Sequence, residues 1–260
     1  MKCWNVKELL VDGGEYDRNG GAGVWTDYAW DGNVIRNAGF HDKFRPGIAV
    51  EMTVGMEITG CTLSRNDTDG IAGIIPAAFR PWDKSLKSGP DLWTGEFFLF
   101  NASGAGTYTD PATQLSYSFA GRTRVHSNRI RDGNGGILTL YQDRAAISPL
   151  KAQMAGTRNG PVAGIDGIVV EDNSIACKTD YAAAVNTLVG RDYKDADGTW
   201  GQIPPAQTQY QAVTYRRNIY SGNFKFCVPK AATLGGSTNV CDWNDRADVD
   251  LPEWQALGKH

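Results

Sequence analysis

Apolar and polar residues alternate along this chain in short runs, not at helical spacing. Six segments can be set under one another: LLVDGGEY (9–16), NVIRNAGF (33–40), MEITGCTL (56–63), TRVHSNRI (123–130), IVVEDNSI (168–175) and VTYRRNIY (213–220). Each ends on a hydrophobic residue: Tyr16, Phe40, Leu63, Ile130, Ile175 or Tyr220. Five positions before it stands another: Val11, Ile35, Ile58, Val125, Val170 or Tyr215. The steps from one segment to the next are 24, 23, 67, 45 and 45 residues. Alternation over so few residues predicts half-buried strands. Recurrence near 23 residues predicts a solenoid, in which each coil adds one strand to each of several parallel sheets.

Stacked coils place equivalent residues in ladders along the axis. Val24, Ile48 and Ile71, each eight residues after Tyr16, Phe40 or Leu63, are expected to form a second apolar ladder. Asn128, Asn173 and Asn218, each two residues before the closing hydrophobe, form a third. Stacked Asn side chains hydrogen-bond from coil to coil. The longer steps read as one coil plus inserts: 67–94 and 102–121 around GEFFLFN, 143–166 after GGILTLYQD, and 190–210 after AAAVNTLV. Long inserts on one side of a rigid solenoid make the walls of a groove. The expected organisation is one all-β domain over residues 1–260, with 224–260 a tail packed on the last coil.

Composition adds exclusions. The 31 glycines among 260 residues favour turns over long helices. Formal net charge is -3 and no run of Lys and Arg makes a basic stripe, so nucleic acid is not an expected partner. No apolar run approaches membrane-spanning length. The opening MKCWNVKELL has neither the apolar stretch nor the cleavage pattern of a signal peptide. The five cysteines form no CxxC pair, and Cys227 and Cys241 are the pair placed to close a disulfide, with buried free thiols as the alternative.

The run GVWTDYAWDGNVIRNAGFHDKFRPGIAVEMTVGMEITGCTLSRN (23–66) resembles the core of bacterial right-handed parallel β-helix repeat proteins of the pectate-lyase-like superfamily. A GxWxD strand, an HDN-like turn and a GIxxE strand follow one another there. The resemblance continues through FNAS, VHSNRI and GGILTLYQDR to the closing PEWQALGKH. It implies a right-handed parallel β-helix with long loop inserts on one side. It also implies polysaccharide lyases, glycoside hydrolases or phage tail proteins as functional relatives. Such proteins usually carry several coils before the GxWxD strand. This chain is therefore expected either to be the C-terminal part of a longer helix or to have another chain or domain covering its N-terminal end.

The stretches GVWTD (23–27) and GIAVE (47–51) lie 24 residues apart. If Gly23 stacks on Gly47, Asp27 stacks on Glu51, with strands about 4.8 Å apart. Alternation turns Val24, Thr26, Ile48 and Val50 inward, and Trp25, Asp27, Ala49 and Glu51 outward. Two carboxylates so close repel, which raises one pKa and suits acid/base work. Carboxyl separations of about 5–5.5 Å suit retaining glycoside hydrolysis, and about 6.5–9.5 Å inversion. Asp27 and Glu51 are thus the candidate catalytic pair, against the plainer role of turn-capping carboxylates. Trp25 is a platform for a sugar ring. His41 and Arg45 on the turn HDKFRPG, Asn101 and Leu140 as the next-coil equivalents of the carboxylates, and Gln142, Asp143 and Arg144 complete the candidate groove. His41 also suits a purely structural place, Arg45 a pair with Asp42, and Asn101 a ladder.

The expected function is hydrolysis of a polysaccharide or oligosaccharide, with no metal and no other cofactor. The alternatives are β-elimination by a lyase or a non-catalytic glycan-binding or phage-tail module. A lyase would draw its base from Arg80, Arg144 or Lys151 and add Ca²⁺. DADGTW (195–200) resembles part of a calcium loop but lacks its further ligands. A glycan substrate implies an extracellular setting.

Overall fold

The computed structural model describes residues 1–4, 6–18, 20–27, 29–30, 32–43, 45–66, 95–100, 102–109, 114–133, 135–141, 162–164, 167–177, 181–187, 213–222, 225–229 and 246–258. They are mostly strands. After β1 (Lys2–Trp4), the strands come in triplets, here called rungs. The first is β2 (Leu10–Asp12), β3 (Glu15–Asp17) and β4 (Val24–Asp27); the second is β5 (Asn33–Arg36), β6 (Gly39–His41) and β7 (Ile48–Glu51). The third is β8 (Met56–Thr59), β9 (Thr62–Ser64) and β10 (Phe97–Phe100). A side hairpin, β11 (Ser103–Thr109) and β12 (Ser116–Gly121), precedes the fourth: β13 (Arg124–His126), β14 (Arg129–Gly133) and β15 (Ile137–Tyr141). After β16 (Val162–Gly164) comes the fifth: β17 (Val169–Glu171), β18 (Ser174–Cys177) and β19 (Tyr181–Thr187). The sixth is β20 (Thr214–Arg216), β21 (Ile219–Ser221) and β22 (Lys225–Pro229), followed by β23 (Arg246–Val249) and a single turn-and-a-half of helix, α1 (Leu251–Ala256).

The chain is all-β, and its three large sheets are parallel apart from one terminal strand. Sheet A runs β1-β4-β7-β10-β15-β19-β22-β23, sheet B β2-β5-β8-β13-β17-β20, and sheet C β3-β6-β9-β14-β18-β21. Each rung gives one strand to each sheet, in the order B, C, A. The six aligned segments are the B-to-C passages, and both of their hydrophobic series are in register. Val11, Ile35, Ile58, Val125, Val170 and Tyr215 face one another across sheet B. Tyr16, Phe40, Leu63, Ile130, Ile175 and Tyr220 do so across sheet C. These residues, all buried except the half-buried Tyr16 and Tyr220, belong to one core.

The turn between sheets B and C repeats one conformation. Gly13, Asn37, Gly60, Ser127, Asp172 and Arg217 all have positive φ, between 53° and 76°. Gly, Asn and Asp adopt this region readily, whereas Ser127 and Arg217 are held there against preference. The next residue points inward, and there the Asn ladder forms. Asn173 Nδ2 donates to the Val125 carbonyl at 2.9 Å and to Asn218 Oδ1 at 3.0 Å. Asn173 Oδ1 in turn accepts from Asn128 N and Nδ2, both at 3.0 Å. The same pattern passes on from Asn128 Oδ1 to the Cys61 N–H at 2.9 Å.

Three expectations need correction. Ile71 lies outside the described residues, and the rung-three partner of Ile48 is Phe97. Segment 102–121 is not a plain loop: β11 and β12 pair antiparallel, and β16 joins β11 to make a small sheet D. Finally, β1 adds a strand to sheet A ahead of rung one, pairing parallel with β4.

The other end is closed. β23 pairs antiparallel with β22. Asp250 caps α1 by accepting from Glu253 N at 2.9 Å, while the Glu253 side chain accepts from Asp250 N at 3.0 Å. That box aims the buried Trp254 at Phe226, stacked at 4.8 Å, and at Tyr215, edge-on at 5.1 Å. No helix among the described residues is long and apolar enough to cross a membrane. Cys3, Cys61 and Cys177 are free thiols; Cys241 lies outside the described residues.

Candidate functional site

Strands β4 and β7 lie side by side in sheet A with Val24 on Ile48, Trp25 on Ala49, Thr26 on Val50 and Asp27 on Glu51. The glycines before them allow this stacking. A Cβ on Gly23 would fall 2.4 Å from Phe40 Cδ1 and 2.6 Å from the Gly47 carbonyl oxygen. Val24, Thr26, Ile48 and Val50 are buried on the inner face, as alternation requires. Thr26 Oγ1 meets Thr53 Oγ1 at 3.2 Å, and Thr53 Oγ1 donates to the Glu51 carbonyl at 3.0 Å, which fixes the strand end.

The outer row runs Trp4, Asp27, Glu51, Phe100, Leu140 and Asn186 across adjacent strands. Asp27 therefore has β1 on one side and Glu51 on the other. Lys2 Nζ reaches Asp27 Oδ2 at 3.0 Å and also sits 3.4 Å from the Trp25 ring centre. A cation over an aromatic face and beside a carboxylate is held twice. One face of Trp25 is thus taken by an ammonium group, which removes that face as a sugar platform. Glu51 is only 8% exposed and Ala49 is fully buried, so this part of the outer row is covered rather than open to water.

The register also revises the next rung. The neighbour of Glu51 is Phe100, and then Leu140 as expected. Asn101, expected at that place, is the next residue in the sequence. Asn101, Gln142, Asp143 and Arg144 lie outside the described residues, as do Arg80, Lys151 and 195–200.

His41 is not brought to the carboxylate pair. It stands on β6 in sheet C, with Nδ1 3.0 Å from Asp42 Oδ2 and Nε2 3.4 Å from Glu15 Oε2. Nor does Arg45 pair with Asp42. Asp42 takes Arg65 bidentately at 2.6 and 2.7 Å, and those bonds, with His41, hold its carboxyl down at about 2. Arg45 is buried in the C-to-A turn beside a fully buried Lys43. Burial pulls the Lys43 amine down to about 8, against the raising influence of Asp17 and Asp42. In the next turn Asn66 Nδ2 donates to the buried Glu96 carboxylate and, at 2.9 Å, to the Phe40 carbonyl.

Sequence reading missed a second carboxylate centre, on sheet B. Glu171, 1% exposed, accepts from Arg124 Nε at 2.6 Å, Arg216 Nε at 2.6 Å and Arg217 Nη2 at 2.7 Å. Hydrogen bonds from Arg216 and then Arg124 hold its carboxyl at about 2. Each of these arginines lies 45 or more positions from Glu171 in the chain, so only the stacking of rungs discloses the cluster. Lys2 was missed for the same reason. Among the described residues no group of three or more His, Cys, Asp or Glu gathers as a metal site. Compared with family models, curated proteins and solved structures, the chain matches none.

Proposed function

We propose that the chain is a right-handed parallel β-helix that hydrolyses a glycosidic bond in a polysaccharide, with Asp27 and Glu51 as the catalytic pair. The rotation of strands through sheets B, C and A supports the helix, and crossovers between parallel strands are right-handed in about 98% of cases. The observation that carries the activity is the in-register placement of Asp27 on Glu51 in unlike surroundings. Lys2 Nζ, 3.0 Å from Asp27 Oδ2, orients that carboxylate, which suits a nucleophile or base. Glu51, buried and in register beside it, is placed to act as the general acid. Adjacent strands about 4.8 Å apart bring two carboxyls near the separation of about 5–5.5 Å used in retaining hydrolysis.

In this reading Glu51 protonates the leaving glycosidic oxygen while an Asp27 oxygen attacks the anomeric carbon. Glu51, now ionised, then takes a proton from the water that releases the glycosyl group. The chemistry needs no metal; Ca²⁺ belongs to the lyase alternative. A polysaccharide substrate goes with an extracellular setting. The test is release of reducing ends from a panel of polysaccharides. Asp27→Asn and Glu51→Gln should each lower the rate by about 10²–10⁴-fold with circular dichroism unchanged. Full activity in both variants would sink the assignment. Product absorbing in the ultraviolet would show elimination instead.

A further inference from the structure

The Glu171 cluster leaves donors facing solvent. Arg124 and Arg216 each spend only Nε on Glu171, and among the described residues their Nη groups have no acceptor. Both guanidinium side chains are about half exposed, at 49% and 50%, whereas the carboxylate between them is buried. They stand on β13 and β20, either side of β17, so their strands are about 10 Å apart. Arg217 is anchored differently: its Nε and Nη2 go to Asp172, and Nη2 also to Glu171. Three arginines therefore surround Glu171, and its carboxylate is hidden beneath them.

We propose that Arg124 and Arg216 form an oxyanion-binding subsite for a sulfate or carboxylate group. Each Nη edge offers two parallel N–H donors, the geometry that a carboxylate or sulfate accepts bidentately. The usual cost of ordering an arginine side chain is reduced, because Glu171 already fixes Arg124 and Arg216 through Nε. The group arrives either as a free ion or on an acidic glycan. A duplex nucleic acid fits less well: its phosphates come every ~1.7 Å along the axis. They would run onto the acidic rungs that carry Asp12, Glu15 and Glu57. Only the glycan source leans on the proposed hydrolase. The subsite itself involves no bond cleavage, so it stands or falls separately.

The experiment is calorimetric and NMR titration of the full chain with three probes at constant ionic strength: sodium sulfate, a chondroitin sulfate hexasaccharide and neutral cellohexaose. Sulfate and the sulfated hexasaccharide should bind and shift the Nε–Hε signals of Arg124 and Arg216; cellohexaose should leave them unmoved. Arg124→Gln and Arg216→Gln should each weaken binding by about tenfold. Arg124→Lys keeps a charged donor toward Glu171 but loses the paired N–H edge, so it should also weaken binding and remains informative if a Gln variant destabilises the chain. Tighter binding of the hexasaccharide than of sulfate identifies a glycan-borne group; equal binding identifies the free ion. Unchanged affinity in both Gln variants, or shifts confined to other residues, overturns the subsite.

Discussion

Glu51 and Glu171 are both buried glutamates in the outer rows of parallel sheets, and they are stabilised in different ways. Glu171, on sheet B, is surrounded by three arginines that reach it from the neighbouring rungs on either side. Glu51, on sheet A, has another carboxylate as its in-register neighbour on one side and Phe100 on the other. The sheets differ in the same sense. Strands of sheet B alternate buried and exposed residues, as in β8, and their outer face is wet. In sheet A, β7 is buried at all four positions, and Phe97, Phe98 and Leu99 of β10 are buried in succession. A parallel sheet covered on both faces reads as continuous hydrophobic sequence. Burying a charge is costly, and such charges gather where chemistry is done.

The largest predicted effect comes from placing the same charge on the two sheets. Phe98→Lys puts an ammonium group on the covered face of sheet A and should cost about 4 kcal/mol or more. Val34→Lys, on the outer face of sheet B, leaves the amine in water and should stay within about 1 kcal/mol. Urea unfolding measures both. Equal costs would mean that the outer faces do not differ.

Much of this contrast was readable in sequence. The inward residues recur at a fixed offset from one another, so Val11 to Tyr215 and Tyr16 to Tyr220 could be aligned by counting. The Asp27–Glu51 register followed because only 24 residues, without an insert, separate the two. Counting fails once an insert intervenes: it reaches Ile71 where Phe97 stands, and Asn101 where Phe100 stands. It fails also for side chains that reach along a strand or across rungs. Lys2 meets Asp27, and Arg124 and Arg216 meet Glu171, through side-chain length, which no periodicity encodes.

A second pair of variants asks what holds sheet B. Asn173 lies inside the turn, two residues after Glu171 outside it. Asn173→Ala leaves the Asn128 N–H and the Val125 carbonyl buried without their side-chain partner. The expected loss is about 2–4 kcal/mol. Glu171→Gln keeps a neutral acceptor and acts on arginines half in water, so about 1–3 kcal/mol is expected. A larger loss in Glu171→Gln would make the outer ion cluster, not the inner ladder, the main brace.

Acid sharpens the same point. The Glu171 carboxyl is held at about 2 in the folded chain against an ordinary 4.5. A depressed folded value gives stability that is complete above the unfolded value and lost as pH falls toward the folded one. The advantage of wild type over Glu171→Gln should therefore be constant above pH 4.5 and shrink between 4.5 and about 2. Melting temperatures across that range measure it, and a gap that widens on acidification would contradict the arginine clamp.

The smallest effect on stability is expected at the proposed catalytic pair. Glu51→Gln removes one of two neighbouring carboxylates and keeps the shape of the side chain. Relief of repulsion offsets whatever polar contacts weaken, so unfolding should change by no more than about 0.5 kcal/mol in either direction. Set beside Glu171→Gln, the comparison separates the two buried glutamates by purpose. One whose neutralisation weakens the fold is a brace. One whose neutralisation spares the fold while abolishing reducing-end release is held in place for the reaction. A loss at Glu51 as large as that at Glu171 would make Glu51 a second brace, and the case for paired-carboxylate hydrolysis would go with it.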